Sequence, residues 1–521
     1  MGNSLRMFSK LRLMAGLVVL LAYARRRYRR HLFLTSLNPF VNTNSDHQNL
    51  LGGVEDVLVE TTKGVIRGFY EKDHKVFNFR GVPFAAPPVG ELRFKRPIDN
   101  PGWEGVKDCR LFGKWSVQDP DLTVESLISP RFTIIQLILK KLILGYGLNL
   151  DPFDAAPMSP KQDEDCLTLN ICTPDMNGRH PVAVWIHGGG FMLGSGSEGL
   201  YSQRWGNPLA KEGVVLVTIN YRLGALGFLK VQDGDFNCGI WDQVKALEWV
   251  QNEISRFGGD PTNVTVFGES AGGMSVGSLI SSPIATKYFR RAILQSGGCQ
   301  AVSQKVAQNI SEAVSRSFQI DDPIEMTAKR LSRFNGASIF AAQRRAQVFG
   351  RLGLMPFQPV IDGELLPDSP IESVRNGSAN GIDIAVGFNK DEWNIFTKLV
   401  SPIPWMPRFL VKQIFHFAVS VVSILIFKFD CWVQGGHTLA DDHDDAHSVT
   451  HELMQRYGDE HERDHGVIDW FKVNNQMMTD LVFAVPAKIL AEEHSACKHD
   501  GVKTFMYRFD FENQLGAVSV T

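Results

Sequence analysis

Ser270 lies within Gly268-Glu269-Ser270-Ala271-Gly272. The run before it, Asn263-Val264-Thr265-Val266-Phe267, predicts a buried strand, and the small-residue run at 273–280 predicts a helix. Glycines on both sides permit a sharp turn and close approach of neighbouring elements. A serine in such a strand–turn–helix presents its hydroxyl at the carboxyl end of the strand, as a nucleophile elbow does. A serine nucleophile needs a base, an acid to orient that base, and donors for the oxyanion formed on attack. His187-Gly188-Gly189-Gly190-Phe191 follows another apolar run and offers donors. Consecutive glycines turn backbone N–H groups toward one point with no side chains in the way. With the N–H of Ala271 they suit acyl transfer.

Such residues need a scaffold that brings separate segments to one edge. Residues 181–187 and 213–219 are apolar on both faces and rich in β-branched side chains, as the centre of a parallel sheet requires. Residues 57–60 and 65–69 flank Thr61-Thr62-Lys63-Gly64, a hairpin signal. Residues 240–257 predict a helix ahead of the elbow strand, and 291–295, 382–386 and 503–509 predict further strands. Strands separated by helices predict an α/β fold with a mostly parallel central sheet flanked by helices. Residues 54–521 have the texture of one domain, and residues 1–50 read as an anchor and linker.

The 521 residues carry a net charge of -2, with 44% apolar and 21% charged residues. This is a globular composition with no electrostatic reason to bind nucleic acid. The first 45 residues depart from it, with eight Lys or Arg and no acid before Asp46. Residues 13–24 are apolar and run into Arg25-Arg26-Arg27-Tyr28-Arg29-Arg30. They are shorter than the roughly 20 residues that span a bilayer. Residues 11–30 therefore predict a short signal anchor or interfacial anchor, with membrane association in the endoplasmic reticulum or secretory pathway. An Arg-rich, acid-free mitochondrial presequence is the alternative. Residues 132–144 and 414–427 are also strongly apolar, readable as core or lid helices or as a membrane-contacting surface. Seven cysteines include no C-x-x-C pair, so no metal or other cofactor is implied.

Other stretches carry a family pattern: Phe79-Arg80-Gly81-Val82-Pro83-Phe84-Ala85-Ala86-Pro87-Pro88-Val89-Gly90, Glu164-Asp165-Cys166-Leu167-Thr168-Leu169-Asn170, Asn220-Tyr221-Arg222-Leu223-Gly224, Trp241-Asp242-Gln243 and Leu294-Gln295-Ser296-Gly297. With the triple glycine and the elbow, the chain resembles the type-B carboxylesterase/lipase family, the cholinesterase-like branch of the α/β-hydrolases. The resemblance covers nearly everything after residue 54. It implies the α/β-hydrolase fold, a small-molecule ester substrate and no cofactor. It also implies Ser270 as nucleophile, Gly189, Gly190 and Ala271 as the oxyanion hole, and Glu392 as the acid. Framework ion pairs of Arg80 with Glu164 and of Arg222 with Asp242 follow from the same resemblance. The family often bonds the cysteine of Glu-Asp-Cys to one shortly before it. Here Ser116 occupies the expected position, and Cys109 lies seven residues early. No tryptophan stands between Trp115 and Trp185 to hold a choline ammonium by cation–π attraction, so a choline ester is not the expected substrate.

The base is the largest departure. The family's histidine follows a Tyr-x-Phe strand, commonly as Gly-Ala-x-His. This sequence reads Tyr507-Arg508-Phe509, then Gly516-Ala517-Val518-Ser519, so Ser519 stands where the histidine is expected. His187 belongs to the glycine loop, and His494 and His499 precede the last strand. His443, His447 and His451 are spaced by four in an acidic tract, which reads as a solvated charged helix or, less simply, as metal ligands. The expectation is a chain incomplete before its catalytic histidine and slow or inactive as a hydrolase. Losing that histidine in a well-studied serine protease costs on the order of 10⁶ in turnover. A last strand without its cover is an aggregation-prone edge. Two function classes stand: a serine ester hydrolase, favoured by the presence of both Ser270 and Glu392, and a non-catalytic binding or adhesion relative, which typically lacks the serine.

Overall fold

The computed structural model describes residues 54–118, 162–197, 206–318, 326–349, 355–394, 456–457, 462–463, 467–468, 470–497 and 501–510. Segments 11–30, 132–144 and 414–427, the residues His443, His447 and His451, and Ser519 lie outside them. Every element described below belongs to the unit formed by Glu55–Ser129 and Pro152–Thr521, apart from the first residue of β1.

The strands are β1 (Val54–Thr61), β2 (Gly64–Glu71), β3 (Val76–Pro83), β4 (Val106–Asp108), β5 (Thr168–Thr173), β6 (His180–Ile186), β7 (Val215–Ile219), β8 (Gly259–Glu269), β9 (Arg291–Gln295), β10 (Asp383–Asn389), β11 (Glu462–Arg463), β12 (Val467–Ile468) and β13 (Thr504–Phe509). An 11-stranded sheet has the order β1-β2-β3-β5-β7-β6-β8-β9-β10-β13, with β4 beside β2, and β11 pairs with β12 separately. From β7 through β13 every neighbouring pair in that order is parallel. The pairs β2–β3, β3–β5 and β5–β7 are antiparallel.

Parallel neighbours need long crossovers rather than tight turns. In the chain, α1 (Cys238–Glu253) lies between β7 and β8 and α2 (Ala271–Ile280) between β8 and β9. Next, α3 (Gln304–Ser317) and α4 (Pro370–Arg375) lie between β9 and β10, and α5 (Val485–Ala496) precedes β13. The both-faces-apolar strands are the sheet's centre: Val184, Ile186, Val217, Ile219, Val264 and Val266 are fully buried. Each such side chain stabilises the fold by about 1.5–3 kcal/mol on burial. From β6 the chain steps to β7 on one side and then crosses to β8 on the other. That reversal is a switch point, and in open α/β sheets ligands bind outside the strand carboxyl ends at such a point, here the ends of β6 and β8.

Two details differ from the sequence reading. The helix expected over 240–257 ends at Glu253, and Ile254–Phe257 tightens into a 3₁₀ turn closed by Gly258 at φ 74°. Ile254 and Phe257 are buried all the same, so the apolar pattern runs through a change of helix type that it cannot reveal. The second difference is an ion pair. Glu164 is held by Arg93, not Arg80, with Arg93 Nη2 donating to Oε1 at 2.7 Å. Arg80 instead stacks between Phe69 and Phe112, its guanidinium 4.8 and 4.6 Å from the two ring centroids. The β3–β5 register shifts between Phe79 and Val82, which breaks the simple alternation of sides around Arg80. The Arg222–Asp242 pair forms as expected, bidentate at 2.8 and 2.7 Å, with side chains 3% and 0% exposed.

The six described cysteines are all free. Burial pushes the thiols of Cys109, Cys166, Cys172 and Cys299 up to about 12 and that of Cys238 up to about 11. Ser116 does stand beside the Glu-Asp-Cys cysteine, its Oγ 3.3 Å from Cys166 Sγ. At the sheet's end, β13 exposes Phe505, Met506, Tyr507 and Phe509. Among the described residues no helix is long and apolar enough to cross a membrane, and no three His, Cys, Asp or Glu are grouped to hold a metal.

Candidate active site

Ser270 joins β8 to α2 with φ 55° and ψ -123°, a conformation that L-residues rarely adopt. Such strain costs on the order of 1–3 kcal/mol and persists only where the surroundings enforce it. Here they do. The Ser270 N–H donates to the Gln295 carbonyl of β9 at 2.8 Å, and the Ser270 carbonyl accepts from Met274 N at 2.9 Å. A side chain at Gly272 would collide with the Ile186 carbonyl of β6, so the glycine lets α2 close onto the sheet.

The glycine loop leaves β6 beside the elbow, because Ile186 and Gly268 are in register. Gly189 and Gly190 have φ of 103° and 62°. The Gly189 carbonyl accepts from Met192 N and Leu193 N, both at 3.0 Å, closing a tight turn. Among the described residues no protein acceptor is bonded to the N–H of Gly189 or Gly190. Ala271 opens α2, where the first N–H groups have no intrahelical acceptor. The loop itself approaches the elbow at Gly188, where a side chain would begin 3.2 Å from Ser270 Cβ. At the root of the loop, His187 is buried, stacks on Tyr221 with centroids 4.4 Å apart, and donates from Nδ1 to the Gly188 carbonyl at 2.9 Å. Burial lowers its pKa to about 4, so the ring is neutral and structural.

Glu392 follows β10. Its Oε1 accepts from Asn389 N at 2.7 Å, its Oε2 accepts from Asn389 Nδ2 at 3.2 Å, and the Ser296 hydroxyl also bonds it. Burial raises its pKa, and these donors partly counter the rise. Sequence reasoning gave no role to Asn389 or Ser296. The only hint was their presence inside family motifs. It also passed over Glu269, whose carboxyl is pushed up to about 8 by burial and then by the charge of Glu392. Met355 lies against the loop, its Cγ 3.5 Å from where a Gly190 side chain would begin.

Comparison with known proteins bears on this geometry. The profile of the carboxylesterase family matches residues 55–518. The chain is 36% identical to the para-nitrobenzyl esterase of Bacillus subtilis (strain 168) over 347 residues, 65% of this chain and 63% of that protein. It is 33% identical to the liver carboxylesterase of Sus scrofa over 488 residues, 87% of this chain and 75% of that one. Among solved structures, a Geobacillus stearothermophilus carboxylesterase superposes with a TM-score of 0.64 at 32% identity, covering 88% of this chain and 81% of the other. A PNB esterase structure gives 0.65 at 30% identity, covering 88% and 80%.

Proposed function

The chain belongs to the carboxylesterase family, and on that premise we propose that it hydrolyses small-molecule carboxylic esters through an acyl-enzyme on Ser270. The observation that carries this reading is the strained Ser270 turn, which the glycine loop approaches at Gly188. In the proposed reaction Ser270 Oγ attacks the ester carbonyl carbon as its proton leaves. The carbonyl oxygen becomes an oxyanion held by the N–H groups of Gly189, Gly190 and Ala271. The intermediate collapses, the alkoxide leaves with a proton, and water then releases the acid by the same route. Glu392, fixed by Asn389 and Ser296, is the acid that orients the base.

In the family pattern a histidine carries the proton. The described histidines lie elsewhere. His74 bonds Glu71, His187 bonds the Gly188 carbonyl, His494 bonds Thr504 Oγ1, and His180 begins β6 at the end away from the glycine loop. Ser519 stands where the family's histidine is expected, and slow turnover by residues 1–521 on their own is the expected outcome. The test is treatment with a fluorophosphonate and a short-chain p-nitrophenyl ester. We expect a covalent adduct on Ser270 that Ser270→Ala abolishes, with slow turnover. No adduct would overturn the nucleophile, and fast turnover lost in Ser270→Ala would overturn the slow-enzyme part. We further assign residues 11–30 to membrane attachment in the endoplasmic reticulum or secretory pathway. A reporter carrying residues 1–45 should sediment with those membranes, and a soluble or mitochondrial reporter would overturn the assignment.

A further inference from the structure

Glu392 sits in a turn that is tied, just past it, to one face of a helix. Trp393 N–H donates to Thr479 Oγ1 at 3.1 Å. Asn475 Nδ2 donates to Asn394 Oδ1. Asn475 and Thr479 belong to the helix Trp470–Thr479 and lie four residues apart, so they share a face. Thr479 is 2% exposed, and Trp393 packs in one apolar cluster with Met477, Met478, Val482 and Phe483. The two residues that follow the acid are therefore held by two side chains of one helical face.

That helix does not run on regularly. Asp480–Ala484 winds as a π turn, with Val485 N–H donating to the Asp480 carbonyl, before α5 resumes the ordinary pitch. Pro486 accounts for the change. A proline ring collides with the carbonyl four residues earlier and has no N–H to offer it. That carbonyl belongs to Val482, and it accepts from Gln300 Nε2 at 3.3 Å. Gln300 is fully buried. Gly298 leaves room for the proline, since a side chain there would begin 2.8 Å from Pro486 Cβ. The segment pinned in this way, 296–300, begins with Ser296, whose hydroxyl bonds Glu392. One bulged helix thus reaches Glu392 from two sides, through the residues after it and through a donor facing it.

We propose that Thr479 is a positioning residue of the active site: with Asn475 it places the Glu392 turn, and the π turn at Asp480–Ala484 sets the direction from which it does so. This rests on the reading of Glu392 as the acid that orients the base. In a regular helix Thr479 and Pro486, seven residues apart, would share a face. The extra residue of a π turn rotates them about 100° apart. One then meets the acid turn and the other meets the 296–300 segment. The acid's bonds from the Asn389 N–H and amide come from within its own turn, so they shape that turn without placing it. Placement falls to the groups that tie the turn to other elements, and Thr479 is the most deeply buried of those on the helix.

The experiment measures the rate at which a fluorophosphonate labels Ser270 in purified 1–521, in a double-mutant cycle with Glu392→Gln. We expect Glu392→Gln to slow labelling and Thr479→Val to slow it about fivefold. Thr479→Ser keeps the acceptor and should restore the parent rate to within about twofold. Added to Glu392→Gln, Thr479→Val should change nothing further, because it acts through the acid. Equal slowing by Thr479→Val in both backgrounds marks a merely structural role and overturns the proposal, as does a rate indifferent to Thr479→Val. Should Thr479→Val not fold, the half-buried Asn475 takes its place in the cycle as Asn475→Ala, with slowing of about twofold expected in the parent background alone. Labelling indifferent to Glu392→Gln fails the acid reading itself and takes the proposal with it.

Discussion

Ser270 and the glycine loop are fixed by backbone. The register of Ile186 with Gly268, the bond from Ser270 N to Gln295 O and the side-chain-free approach at Gly272 would survive most changes of side chain. Glu392 is fixed by one backbone donor, the Asn389 N–H at 2.7 Å, and by two side chains, the amide of Asn389 and the hydroxyl of Ser296. The positions differ too. The first corner lies at the buried centre of the sheet. The second follows β10, whose outer neighbour β13 exposes four large apolar side chains. The contrast teaches that the nucleophile corner tolerates substitution except at its glycines, whereas the acid corner can be detuned in small steps.

The harshest way to break the contrast is Gly272→Val. It drives a side chain into the Ile186 carbonyl and should destabilise the fold by about 4 kcal/mol or more, read from urea unfolding or loss of soluble protein. Ser116→Cys sharpens it in the other direction. A thiol beside Cys166 should oxidise to a disulfide, remove two free thiols by mass analysis, and stabilise by about 3–4 kcal/mol through loop closure, reversed by reductant.

Glu269→Gln tests the ground between the corners by pH. The folded carboxyl titrates at about 8, well above its unfolded value near 4.3. In that window the folded chain holds a proton that the unfolded chain lacks, so stability falls as pH rises through it. The variant should match the parent at pH 5 and exceed it by about 1–2 kcal/mol at pH 8.5, after allowing for partial solvent access. A parent whose stability is flat over this range would contradict the raised carboxyl. The gentlest change is Asn389→Ala. It removes one bond to Glu392 and keeps the backbone one, so stability should move by about 1 kcal/mol while Ser270 phosphonylation slows about threefold.

The same contrast explains what could be read from residues alone. The strands at 181–187, 213–219 and 291–295, and the elbow between β8 and α2, were legible because periodicity and glycine spacing record backbone requirements directly. The location of the switch point was not, because it depends on strand order, which pairing decides. Glu164 was expected from the family resemblance to pair with Arg80 but is held by Arg93, because the β3–β5 register shift, which no residue pattern records, redirects Arg80. Glu269 was invisible as a chemical group. Within a five-residue motif it reads as filler, and its properties come from burial and from Glu392, far away in the chain.

The buried thiols have a use beyond packing. Cys109, Cys166 and Cys172 lie around β4 and β5, Cys238 opens α1, and Cys299 follows β9. A thiol titrating near 11 or 12 is almost wholly unreactive toward alkylating agents at neutral pH. Cys109, Cys166, Cys172 and Cys238, which are buried, become reactive only when their own neighbourhoods open to water, whereas the half-buried Cys299 needs less opening. The chain therefore carries its own set of clocks, in which the order of labelling would rank the opening rates of the antiparallel flank, the first crossover helix and the strand behind the nucleophile.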